Sequence, residues 1–258
     1  MFDHGLPALY ALAIWWLSTG LILYLDNRPA RTFPLSMAGA TVLAAAALYG
    51  FVTSATDTSA AGAYTAFTSA LMVWGWHEMA FLMGFVTGPR TTACPEGSTG
   101  WRRFAHATGA VLHHELAIAA TLVVLVALAW DAPNPLGAWT FAALWLLRLS
   151  AKLNLFLGVA NTAEGLLPAH LRYLGSYFGR RPINALFPVS VAASTVAAVA
   201  LLAAAATAVP GTPPASGTVG LTLLGTLVAL GALEHWLLVL PLSAEALWAR
   251  RPRPVPTP

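Results

Sequence analysis

The stretch "GAYTAFTSALMVWGWHEMAFLMGFVTG", Gly62–Gly88, is apolar enough to sit in lipid except that it places His77 and Glu78 side by side in its second half. Its reading decides the fold. A helix needs about 20 predominantly apolar residues to cross about 30 Å of hydrocarbon. If Gly62–Gly88 is such a helix, the chain is a membrane bundle that carries ionisable groups inside it. The surroundings favour that reading, because 58% of the 258 residues are hydrophobic, 9% are charged, and the mean hydropathy is +0.69. A soluble domain carries about 25% charged residues.

Seven apolar runs of suitable length follow one another, at about 6–25, 35–53, 62–88, 106–130, 136–163, 186–208 and 218–241. Their connectors alternate in charge. Arg28 and Arg31 follow the first run, Arg90, Arg102 and Arg103 the third, Arg172, Arg180 and Arg181 the fifth, and Arg250, Arg251 and Arg253 the seventh. The other connectors, "SATDTSAA", "DAPNP" and "PGTPPASG", hold no Lys or Arg. Lys and Arg gather in cytoplasmic loops. The pattern therefore predicts an all-α, polytopic membrane bundle of seven transmembrane helices, N-terminus periplasmic and C-terminus cytoplasmic. Residues 1–248 read as one membrane domain and 249–258, ending in "RRPRPVPTP", as a disordered cytoplasmic tail. The first run lacks a basic leader and a small-residue cleavage site, so it reads as a retained helix. The single cysteine, Cys94, excludes an intramolecular disulfide and a Cys-based zinc site within one chain.

Four of the six glutamates fall in or at the end of the apolar runs, and three of those four have a histidine as direct neighbour. They occur as His77-Glu78, as His113-His114-Glu115, as "NTAE" ending in Glu164, and as Glu234-His235. Counted from the cytoplasmic ends at 1.5 Å per residue, the His/Glu groups lie at similar depth and are expected to meet in one cytoplasm-facing site. Asn154, Gly158, Asn161 and Gly165 recur at helical spacing and predict a polar stripe up the fifth helix. His106, Ala110, His113 and Ala117 form a comparable face on the fourth, which predicts that His113 points inward. Positions 113 and 115 are about 200° apart on a helix, so "HHE" cannot deliver all three side chains to one place.

Only Arg148 and Lys152 offset these four carboxylates within the runs. The remaining charge must be protonated, paired with charged histidine, or met by a bound cation. Imidazole and carboxylate together suit iron, manganese or zinc, and carboxylates and histidines from several helices build di-metal centres in bundles. The candidate ligands are His77, Glu78, His113, His114, Glu115, Glu164, Glu234 and His235, with Trp74, Asn154 and Asn161 as candidate contacts to a cofactor such as a tetrapyrrole. The alternative is that each His-Glu pair is an interhelical clamp that only fixes packing. No Glu-x-x-His motif, phosphate loop, nucleophile elbow or dinucleotide fingerprint is present, so an enzymatic role is left open. "GFVTG", Gly84–Gly88, has the spacing of a close helix crossing. "LLPAHLRYLGSYFGRRPIN", Leu166–Asn184, reads as an amphipathic cytoplasmic element fit for anionic headgroups or a partner.

The blocks "WHEMAFLMGFVTGPR", "HHELAI", "KLNLFLGVANTAEG", "LPAHLRYLGSYFGRRPINALFP" and "EHW" resemble the PuhE family of photosynthetic complex assembly proteins of phototrophic bacteria, and the resemblance runs through nearly the whole chain. It implies a multi-pass protein of the inner or intracytoplasmic membrane that acts in assembly of the photosynthetic apparatus or in pigment supply. The implied partners are the bilayer, reaction-centre or light-harvesting subunits, or bacteriochlorophyll enzymes, and no nucleic acid. The same blocks contain the polar clusters. The resemblance names a process and no reaction, and it fits equally a pigment- or subunit-binding chaperone without catalysis.

Overall fold

The computed structural model describes residues 2–207 and 215–240. Seven long helices succeed one another there: α1 Phe2–Asp26, α2 Phe33–Ser54, α3 Ala60–Leu82, α4 Gly100–Leu128, α5 Leu136–Leu157, α6 Leu186–Thr207 and α7 Ala215–Leu237. Short 3-10 segments complete the fold, and the described residues form no strand, only one isolated bridge between Val159 and Arg180. Position 208, the connector through 214 and residues 241–258 lie outside the described residues, with Glu245 and the expected tail among them.

Six helices are long and apolar enough to cross a membrane, and α3 is the exception. At 23 residues and 1.5 Å per residue α3 spans about 34 Å, so length is not its shortfall. Its place explains its composition. α3 packs against α1, α2, α4, α5 and α7, so Ser69, His77 and Glu78 are buried among protein neighbours. A helix enclosed by other helices does not need the apolarity that lipid demands. Two apolar centres flank it, one around Phe51, Trp74, Ile118, Leu125 and Phe141 and one around Phe67, Leu71, Leu223 and Leu227.

Three boundaries differ from the sequence reading, each at a glycine or an inserted backbone. α3 stops at Leu82 and not at 88, because Gly84 turns the chain at φ 81°. "GFVTG" is therefore no helix crossing. Its segment runs along α4 instead, where the Arg90 amide donates to Gly109 O at 3.1 Å and the His114 amide donates to Thr87 O at 2.9 Å. Irregular backbone at membrane depth is tolerated where protein buries it and supplies partners. The approach is close: a Cβ on Gly88 would fall 2.2 Å from Gly109 O, whereas one on Gly109 would meet only the Arg90 side chain at 3.7 Å. Gly88→Ala is thus expected to cost about 2 kcal/mol or more, and Gly109→Ala to be neutral or to gain up to about 1 kcal/mol of helix propensity. Thermal unfolding in detergent distinguishes the two, and equal effects would disprove the close contact.

The second difference is that α4 begins at Gly100, six residues before the expected 106. The third is at α5, which ends at Leu157 because Gly158 sits at φ 115°. Asn161, Glu164 and Gly165 consequently leave the helix, and the expected stripe stops at Asn154. The amphipathic segment forms 3-10 turns at Glu164–Leu166 and Ala169–Tyr177. It spends its apolar face on its own bundle: Leu171, Leu174 and Tyr177 pack with Phe81 and Ala110. Arg103 holds the segment to α5 by donating to Phe156 O at 3.1 Å and Tyr177 O at 2.6 Å, and Arg90 donates to the Tyr177 hydroxyl at 2.7 Å.

Candidate functional site: an intramembrane charge cluster

Helical spacing puts Arg148 and Lys152, four residues apart, on one face of α5. That face meets α3 and α4. Arg148 Nη2 lies 3.2 Å from Glu78 Oε2. Lys152 Nζ lies 2.5 Å from Glu115 Oε1, and Trp145 donates from Nε1 to Glu115 Oε2 at 2.9 Å. The Phe81 ring adjoins both Lys152 and His114, with Lys152 Nζ 5.3 Å and the His114 ring 4.5 Å from its centroid. Each carboxylate thus meets a cation from α5, which fixes three helices in register.

His114 is fully buried, and its Nε2 stands 3.8 Å from Glu78 Oε1. That separation is too long for a hydrogen bond. Both ring nitrogens of His114 and Glu78 Oε1 have no hydrogen-bond partner among the described residues. The neighbouring His77 is buried as well and is satisfied on α4, with Nε2 2.9 Å from Thr121 Oγ1.

His113 corrects the sequence reading: it is exposed, and His114 takes the inward position. The cause is the backbone of residues 84–90, which docks on α4 at Gly109, Ala110 and His114. One residue further back, about 100° round the helix, His113 faces away.

A second polar centre joins α5, α6 and α7. The His235 ring has Nδ1 2.7 Å from Gly231 O. A carbonyl can only accept, so Nδ1 carries a proton. Ser150 Oγ lies 2.9 Å from Nε2 of the same ring and 2.9 Å from Ser190 Oγ. Asn154, fully buried, donates to Ser190 Oγ at 2.9 Å and to Ser150 O at 3.0 Å. Asn184 then donates to Asn154 Oδ1 at 3.1 Å and Gly158 O at 2.9 Å. Its own Oδ1 accepts from the Leu186 and Phe187 amides, the first of α6.

The remaining candidates lie apart. Glu234 is exposed and accepts from Trp15 Nε1 at 3.1 Å. Glu164, in its 3-10 turn, lies 3.4 Å from Arg180 Nη2 and accepts from the Thr162 hydroxyl at 3.2 Å. Asn161 donates to Leu237 O at 2.9 Å, closing the end of α7. Trp74 is a core residue, edge-on to Phe141 with ring centroids 5.6 Å apart. The structure therefore brings Glu78, His114 and Glu115 together, sets His77 beside them, and places His235 with Asn154 in a separate network. It leaves His113, Glu164 and Glu234 outside both. Among the described residues no three His, Cys, Asp or Glu side chains gather into a metal-holding group.

Sequence reasoning overlooked Arg180 as a third cation and Ser150, Ser190 and Asn184 as the frame of the second centre. The Ser150/Asn154 spacing of four residues was the available signal for the latter.

Along its length the chain matches, over residues 1–256, the family described as "Protein of unknown function (DUF3623)". It is 40% identical over 255 residues, covering 96% of this chain and 90% of the relative, to a Rhodobacter capsulatus protein described as "Uncharacterized 30.4 kDa protein in puhA 5'region". No solved structure matches. The chain belongs to the DUF3623 family.

Proposed function

We propose that this chain is a multi-pass membrane factor for assembly of the bacterial photosynthetic apparatus, acting on a reaction-centre or light-harvesting complex or on bacteriochlorophyll supply. One observation carries the reading: the relative that matches nearly the whole chain lies in the puhA 5' region of a phototrophic bacterium. The PuhE resemblance points the same way. A holding role is supported by Glu78 and Glu115, each engaged by a cation, and by His77 and His235, engaged by hydroxyls. Deleting the gene in its phototrophic host is expected to lower the near-infrared absorbance of the membranes, and a plasmid copy to restore it. Unchanged absorbance would refute the assembly role.

The proposed membrane is the inner or intracytoplasmic one, and the proposed topology has seven spans with α3 as the enclosed one. Reporters fused after residue 57 and after residue 100 should then lie on opposite sides, periplasmic and cytoplasmic respectively, because of these two connectors only the one between α3 and α4 carries arginines. The same side for both would exclude α3 as a span.

A metal-dependent centre is the rival reading. The unpartnered His114 Nε2 and Glu78 Oε1, 3.8 Å apart, favour it, and Arg148 and Lys152 beside them oppose a further cation. The metal content of purified protein decides between the readings.

A further inference from the structure

An open groove of about 470 Å³ runs between α6 and α7, lined by Ile183, Phe187, Val191, Thr195, Val196 and Trp236 among others. From Phe187 to Val196 it follows nine residues of α6, about 14 Å at 1.5 Å per residue. That length matches one leaflet of a hydrocarbon core about 30 Å thick. The groove is apolar and faces outward: Ile183 is 53% exposed, Val196 67% and Trp236 44%. Its volume falls within the range of about 300–1,000 Å³ typical of ligand pockets.

The end of the groove nearest the arginine-bearing connector is marked by charge. Arg181 precedes Ile183 by two residues, so their Cα atoms are no more than about 7 Å apart. Arg181 is exposed, and among the described residues its side chain has no ion pair or hydrogen bond. Its stem lies against Gly158 at the end of α5, where a Cβ would meet Arg181 Cγ at 3.0 Å. Arg180, next to it, is already paired with Glu164. Arg181, without a partner among the described residues, thus lies within two residues of the start of the furrow.

We infer that this groove is a site for one anionic glycerophospholipid of the leaflet on the arginine side, with its phosphate on Arg181 and an acyl chain between Phe187, Val196 and Trp236. Zwitterionic lipid offers the same chain without net negative charge. Free phosphate offers the charge without the chain. The charge and the furrow together select the anionic lipid. This inference is independent of the photosynthetic role.

The test is lipid retention by full-length protein reconstituted in nanodiscs containing equal phosphatidylglycerol and phosphatidylcholine, released into detergent and weighed by native mass spectrometry. Wild type is expected to retain one phosphatidylglycerol in preference to phosphatidylcholine, and inorganic phosphate not to displace it. Arg181→Gln should reduce that preference about fivefold, and Arg181→Lys should keep most of it. Ala192→Phe, which fills the furrow, should lower retention of both lipids. Unfolding midpoints close to wild type confirm that each variant is folded. Equal retention of the two lipids by wild type, or a preference untouched by both Arg181→Gln and Ala192→Phe, would overturn the site.

Discussion

Replacing Lys152 by methionine is expected to lower the stability of the membrane-inserted protein by about 3 kcal/mol, the low end of the range for breaking a buried ion pair. The low end applies because the Lys152 and Glu115 side chains keep 19% and 17% of their surface exposed. Methionine fills a similar volume but leaves the Glu115 carboxylate, among the described residues, with the Trp145 N–H as its one hydrogen-bond partner. Adding Glu115→Gln removes the stranded charge while the amide oxygen still accepts from Trp145. The double variant should therefore recover to within about 1 kcal/mol of wild type. Equilibrium unfolding of the single and double variants in detergent measures this. A double variant no better than Lys152→Met would show that the two side chains are not coupled.

The second large effect belongs to Asn184, which serves two helices at once. Its amide nitrogen serves Gly158 O and Asn154 at the end of α5, and its oxygen caps the first amides of α6. Asn184→Ala loses the cap and strands buried carbonyls, with an expected cost of about 2–3 kcal/mol. Asn184→Asp keeps the cap but replaces the donor with an acceptor facing carbonyls. It should be no better than alanine if the α5 contacts dominate, and close to wild type if the cap does. Unfolding midpoints of the two variants separate these outcomes.

Much of this fold was legible from the chain. Apolar run length located the helices, because hydrocarbon thickness acts on every segment alike. The errors arose where a local backbone event overrode periodicity. Gly158 ended α5 before Asn161 and Glu164, yet a glycine in an apolar run equally suits a continuing membrane helix. His113 and His114 exchanged roles because residues 84–90 dock on α4, a tertiary contact without a periodic signature. The depth estimate expected the His/Glu groups to meet, and of these His114 and Glu78 stand 3.8 Å apart. Depth does not fix azimuth, so His235 went to the Ser150 network and Glu234 to Trp15.

His77 and Glu78 are buried polar groups on α3 and need partners inside the bundle. In this structure His77 is answered by Thr121 and Glu78 by Arg148, which replaces the water those groups lose. The most direct test is the metal content, by inductively coupled plasma mass spectrometry, of wild-type and Glu78→Gln protein purified without chelators. Charges that close on one another predict less than about 0.1 equivalent of iron, manganese or zinc in both, with Glu78→Gln altering stability and not metal. About one equivalent or more in wild type, lost in Glu78→Gln while the protein stays folded, would contradict the clamp and establish a metal centre.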